Sequence, residues 1–419
     1  MTVTNNPQFR YTALTAAAVI LIGLMVVTVV RVAGVVRASE PQQPYDLTDL
    51  SAEDLEKPPL MDEENAAAWL QAGAAAIVWT DVEKATIGEA TLAPYDDWPK
   101  GQSSQVRAIL DRHRGALETL HRAAPIERSN YGIRYREALD AEMPDLLGLL
   151  DASRLLMIEA RIALADGDEV RTLGALETMT RLATSLQDEP TTITTLVGIA
   201  CQRMMLTVAA EATQSEHPDI GTSEFLDDLE QKLPRTDDGE TLARLFDAWT
   251  AVLENELNRR AAESETDSAH RYDLDRTQLF ELRSELLGLL AVPYGTFPDR
   301  FGDQAKEVMF EPEPEAVLED VQGFIKVIER FQVLEAQLQL IDTGIAMRRI
   351  GLEDGAYPTQ RPAVAVLTDP DPFTGRRLVY ETRPDGSLEL ALDGAVALLE
   401  QIIPKQSAHA LAPIVLPRP

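Results

Sequence analysis

From Thr12 to Val30 the chain reads TALTAAAVILIGLMVVTVV, 19 residues without a charge. As a helix this run reaches about 28 Å, the thickness of a bilayer core. No polar face interrupts it over five turns, so a buried helix of a soluble bundle fits it poorly. A cleaved secretory signal is the rival reading, because "VRA" before Ser39 offers small residues at a cleavage point. The apolar region of such a signal is shorter, however, at about 7 to 15 residues. The sequence therefore predicts a signal-anchor, with a short cytoplasmic N-terminus over residues 1–11 and a transmembrane helix over 12–36. Arg10 precedes the span while Arg31 and Arg37 follow it, so charge does not orient it. Export of the large acidic part that begins at Glu40 is the working expectation, giving a single-pass membrane protein with an extracytoplasmic C-terminal domain.

All 69 acidic residues and 35 of the 38 basic ones follow position 38, so the part beyond the span carries a charge of −34. Such a surface repels nucleic acid and anionic headgroups, which excludes nucleic acid as a partner. Aromatic residues make up 5% of the chain and alanine and leucine are abundant, which favours helices packed through small and aliphatic side chains over sheets. The single cysteine, Cys201, lies in the apolar run LVGIACQRMML. It can form no intramolecular disulfide and no thiolate metal site, and it reads as a core thiol.

Residues 37–60 mix proline with acidic and polar residues and read as a linker. A helical domain over 61–313 follows. Its first helix places Ala66, Trp69, Leu70, Gly73 and Ile77 on one face after the acidic start at Asp62. Helical periodicity then recurs over 103–124, 140–165, 169–187, 191–213, 223–232, 237–264 and 273–290, with breaks at Pro125, Gly167 and Pro190. Short turns between helices make antiparallel neighbours, so an irregular antiparallel bundle is expected. Residues 314–394 form the next unit. A long spine helix over 314–351 carries Val317, Val321, Phe324, Ile328, Phe331, Leu334, Leu338, Ile341 and Ile345 on one stripe. RRLVYETRPDGSLELAL then alternates about a Pro-Asp-Gly turn, the pattern of a small β-hairpin. Residues 395–419 read as an extended, proline-rich tail. The fold class is thus mainly α, with a transmembrane helix, a bundle, a spine and a C-terminal hairpin.

The stretch DPDPFTGRRLVYETRPDG, from Asp369 to Gly386, is the most patterned of the chain. A helix ending in Gly355, Tyr357 and Pro358, followed by Asp371, Pro372, Phe373 and Gly375 with Leu378 and Tyr380 just beyond, resembles the globular heads of type II secretion pseudopilins. The resemblance covers about residues 330–394. The chain as a whole is similar to bacterial membrane-anchored helical proteins that end in such a cassette, and ENAAAWLQAGAAA adds a weaker echo. The resemblance implies a folding unit of spine and hairpin, a place at the cell envelope, and a calcium loop. Two departures stand beside it: the spine is internal rather than continuous with the anchor, and the anchor lacks the prepilin-type cleavage pattern.

For calcium, Asp369, Asp371, Asp385 and Asp393 could supply oxygens, though the spacing matches no EF-hand and turn-and-cap chemistry explains the same residues. Glu118 and His121 form Glu-x-x-His, half of a di-iron motif, and no second such pair exists, so a solvated helix face is the simpler reading. Gly-x-Ser-x-Gly, the phosphate-loop pattern, His-Glu-x-x-His and Cys-x-x-Cys are absent. Trp69, Trp79, Trp98 and Trp249 could line a groove or simply pack. The sequence assigns no catalytic, cofactor-binding or metal-ligating residue and no cofactor. Its expected partners are the membrane, through residues 12–30, and envelope proteins. Three functions remain open: a non-enzymatic envelope interaction or assembly module, a secretion-system component related to pseudopilins, and a hydrolase-like enzyme with dispersed carboxylates.

Overall fold

The computed structural model describes residues 51–234, 238–263, 315–362, 370–371, 373–395 and 411–419, with isolated positions at 284, 287 and 288. The expected span at 12–36 lies outside them, as do Asp369, Pro372 and all of the expected helix at 273–290 but those three isolated positions. Among the described residues there are ten α-helices and one small antiparallel sheet of three strands.

Four short helices come first: α1 (Ala66–Ala75), α2 (Asp81–Leu92), α3 (Gln102–Arg112) and α4 (Arg114–His121). Asn65 starts α1 by accepting from the Ala67 amide at 3.1 Å. Gly73 lets α1 lie directly on α4, since a Cβ there would sit 2.6 Å from Leu120 Cγ. The periodicity over 103–124 predicts one helix where two form. His113 takes φ −97° and ψ 14°, which bends the chain between α3 and α4. α2 is absent from the expected elements, because its apolar residues are too few for a stripe. Its start is nevertheless encoded, as Thr80 and Glu83 make a reciprocal capping box.

The centre is a trio of long antiparallel helices, α5 (Leu146–Asp166), α6 (Glu169–Gln187) and α7 (Thr192–Gln214). The sequence places the start of α5 near residue 140, but residues Tyr135–Asp140 form a 3₁₀ turn. The helix waits until Asp145, just after Pro144, caps the Gly148 amide at 3.0 Å. Gly167, at φ 69°, ends α5, and Asp168 caps the next helix. Gly198 brings α7 against α6, where a Cβ would meet the Ala183 carbonyl oxygen at 2.9 Å. Among the described residues α7 is the helix long and apolar enough to cross a bilayer, with a mean hydropathy of 1.5 over its best window. Here it is packed on α5, α6 and the spine, so its apolarity serves the core of the bundle. Burial pushes the Cys201 thiol on α7 up to about 12, as suits an inert core position.

α8 (Ser223–Lys232) and α9 (Asp238–Glu263) extend the bundle, and the spine α10 (Glu315–Asp354) lies along α7 and α8. The strands β1 (Val379–Thr382), β2 (Leu388–Ala391) and β3 (Ile414–Leu416) pair in that order. β1 and β2 are the expected hairpin, with Tyr380 opposite Leu390. β3 belongs to the segment read as an extended tail, yet Ile414 faces Leu390 across an antiparallel register. Its inner residues Ile414 and Leu416 are buried, and Val415 donates to Gln214 Oε1 at 2.9 Å, tying the strand to α7. One continuous hydrophobic cluster runs from Ala66 through the bundle and spine to Leu416.

Candidate functional site

Four helices meet at a cleft of about 320 Å³. Leu110 and Asp111 at the end of α3, with Arg114, Leu117, Glu118 and His121 on α4, make one wall; Glu159 of α5 and Arg171 of α6 make the other. The short turn at His113 aims α4 so that positions 114, 117, 118 and 121, at helical three- and four-residue steps, share this face.

At the base, His121 Nε2 lies 2.8 Å from Glu159 Oε2, and Arg171 Nε donates to Glu159 Oε1 at 3.0 Å. The Glu159 side chain is 7% exposed, so both of its oxygens are held inside the protein by protein donors. Burial pushes the Glu159 carboxyl up, but hydrogen bonds and positive charge from His121 and Arg171 outweigh it and hold the group below the usual glutamate range. The other imidazole nitrogen, Nδ1, lies 2.7 Å from Thr178 Oγ1, and that hydroxyl donates to the Gly174 carbonyl at 2.9 Å. Each ring nitrogen therefore faces an acceptor.

Thr178, His121 and Glu159 have the order of a hydroxyl–imidazole–carboxylate triad. Thr178 is fully buried and its proton is committed to backbone, so its oxygen has no route to a substrate. Both Glu159 oxygens are engaged, one by His121 and the other by Arg171. The arrangement is suited to holding charge in place and to binding.

Glu118 and His121 were legible as Glu-x-x-His, and the structure separates their roles. His121 turns inward to Glu159, whereas Glu118 stays exposed at the mouth with no hydrogen bond or ion pair to any described residue. Sequence alone could not have joined His121 to Glu159, Arg171 and Thr178, because three different helices supply them. Among the described residues no group of three or more His, Cys, Asp or Glu side chains could hold a metal ion.

The cassette residues form a packed corner. Gly355 takes φ 70° past the end of α10, and its amide donates to the Gly351 carbonyl at 2.8 Å. Tyr357 Oη donates to the Pro417 carbonyl at 2.8 Å, and the Pro358 carbonyl accepts from Tyr380 Oη at 2.6 Å. Asp371 is wholly buried and caps a turn, accepting from the Phe373 amide at 3.0 Å and the Thr374 amide at 2.6 Å, with the Thr374 hydroxyl on its other oxygen. Gly375, at φ 70°, closes that turn onto the Asp371 carbonyl, and Phe373 fills the core beneath it. Asp385 caps Ser387 at 2.9 Å, and Asp393 pairs with Arg376 at 3.1 Å. These carboxylates are thus spread over separate turns, each with its own donor, rather than converging on one point.

The tryptophans do not share a groove. Trp69 lies under Arg122 at 5.0 Å, Trp79 packs edge-on to His113 at 4.8 Å, Trp98 rests on Tyr95 at 5.0 Å, and Trp249 joins Phe246 and Phe324. Compared with family models, curated proteins and solved structures, the chain matches none.

Proposed function

We propose that this chain is a membrane-tethered, non-enzymatic interaction or assembly module of the cell envelope. The observation that carries the reading is a clasp that fixes the segment leading from the apolar run at 12–30 onto the bundle. Lys57 Nζ donates to Glu189 Oε1 at 2.8 Å and to the Ser129 carbonyl at 3.3 Å. Asn130 Nδ2 donates to the Lys57 and Pro58 carbonyls at 3.1 and 2.9 Å, and Asn65 and Asn130 bond reciprocally through side chain and backbone. Glu189 is 1% exposed and also accepts from Tyr135 Oη at 2.9 Å. Ala52, Ile133 and Tyr135 add a small apolar cluster under the strap.

A clasp of this kind keeps the domain close to the bilayer. Residues 31–50 can extend no more than about 70 Å, so the domain samples a thin layer beside its membrane, where a partner would meet it at high effective concentration. The enzyme reading loses support because the best-formed polar cluster has a saturated carboxylate and a buried hydroxyl. A role as a secretion-system component related to pseudopilins rests on the cassette resemblance. The residues that carry it, Gly355, Tyr357, Pro358, Asp371, Phe373, Gly375 and Tyr380, are turn and packing residues, which favours a shared folding unit over a shared contact surface.

Crosslinking in native membranes, purification of the full-length chain and mass spectrometry of what accompanies it test the proposal. Envelope proteins in stoichiometric amounts are the expected result, and pilus or secretion components among them would favour the secretion reading. Recovery of the chain alone would overturn both.

A further inference from the structure

The cleft between α3–α4 and α5–α6 is charged on both walls, and its charges are incompletely used. Arg114 pairs with Asp111 at 2.5 Å, and Arg171 reaches Glu159 only through Nε. The terminal nitrogens of Arg171 have no hydrogen bond to any described residue, and Glu118 has no partner among them either. Unused donors therefore stand on one side of a cleft whose other side holds an unused acceptor. Leu110 and Leu117, each 4% exposed, also line the cleft and add a small apolar surface to it. A ligand that satisfied all three features would carry a carboxylate, an ammonium group and a small apolar body. The volume, about 320 Å³, lies at the lower end of ligand sites, which run from about 300 Å³ upward.

We infer that the cleft binds a free α-amino acid, its carboxylate on the terminal nitrogens of Arg171, its ammonium on Glu118 and its side chain against Leu110 and Leu117. Arg171 presents a planar fork that suits a carboxylate, and Glu159 holds that fork from behind through Nε. His121 is the positioning residue: it fixes Glu159 and so the orientation of Arg171. The inference does not depend on the membrane tether, and it adds a ligand to a module otherwise read only as a docking unit.

The test is isothermal titration of the purified full-length chain with each of the twenty L-amino acids, followed by the amide and the decarboxylated amine of any that binds. Saturable binding with Kd at or below about 1 mM is expected for at least one amino acid, and at least tenfold weaker binding for its amide and amine. Glu118→Gln removes the ammonium partner at an exposed position and is expected to weaken binding at least tenfold without lowering the melting temperature. Glu63→Gln, on an exposed turn outside the cleft, leaves binding unchanged. Absence of heat from every amino acid at about 10 mM would overturn the inference. So would binding that ignores Glu118→Gln, or an amine that binds as well as the parent amino acid.

Discussion

Glu159 is a buried carboxylate whose two partners, His121 and Arg171, come from two other helices, so it joins α4, α5 and α6 through one side chain. Its carboxyl is held below the ordinary range, so the folded state binds that proton more weakly than the unfolded chain does. The linked stability is present above the unfolded pKa and is lost as pH falls through the folded value. Urea denaturation carried from pH 6 down to about pH 3 should therefore show stability falling with acid, chiefly below the ordinary glutamate value of 4.5, and Glu159→Gln should flatten that fall. At neutral pH the same substitution should cost about 1 to 3 kcal/mol, discounted because His121 and Arg171 are each about a third exposed. A variant as stable as the parent at pH 7 and just as acid-sensitive would mean that the cluster contributes nothing. Asp371 poses a simpler case. Its buried carboxylate satisfies two backbone amides and the Thr374 hydroxyl, so Asp371→Ala should cost about 2 kcal/mol, read from the shift in denaturation midpoint.

At the scale of elements, close approach is what builds the bundle, and glycine is what permits it. Gly198→Ala would drive a methyl against the Ala183 carbonyl and the Gln187 side chain. Overpacking of about 1 to 3 kcal/mol then exceeds the gain of about 1 kcal/mol in helix propensity, so a net loss of stability is expected. Gly174→Ala, on α6 with open space around its Cβ position, should be neutral or stabilising and serves as the control. The helices that were legible from sequence are those whose ends carry chemistry: Asp168, Thr191 and Thr222 each cap a backbone amide, and α6 and α8 run over 169–187 and 223–232 as periodicity predicts. α2 was missed although Thr80 and Glu83 announce it, because so few of its residues are buried that no apolar stripe forms. The third strand was hidden for another reason. Ile414, Val415 and Leu416 sit between prolines, and their partner Leu390 lies far back in the chain, so no local pattern marks the pairing.

On the scale of the whole molecule, both ends of the described chain are fastened to the bundle. Lys57 pins the leading strap to Glu189, while Arg348 and Tyr357 hold the Pro417 carbonyl at 2.9 and 2.8 Å. The polar cleft, like these clasps, was not legible, because its members lie on helices whose mutual placement is set by buried glycines and leucines rather than by any spacing of charges. Lys57→Ala should leave Glu189 with Tyr135 as its remaining side-chain partner and free the strap. Limited proteolysis should then cut within residues 51–60 at least about threefold faster, while cleavage inside the bundle stays slow. The proposal that this clasp joins a membrane anchor to an interaction domain is checked by washing membranes that hold the native full-length chain with alkaline carbonate and sequencing the N-terminus of what stays behind. The chain should remain in the pellet with the segment before Ser39 intact; release into the supernatant, or a mature chain beginning near Ser39, would contradict it.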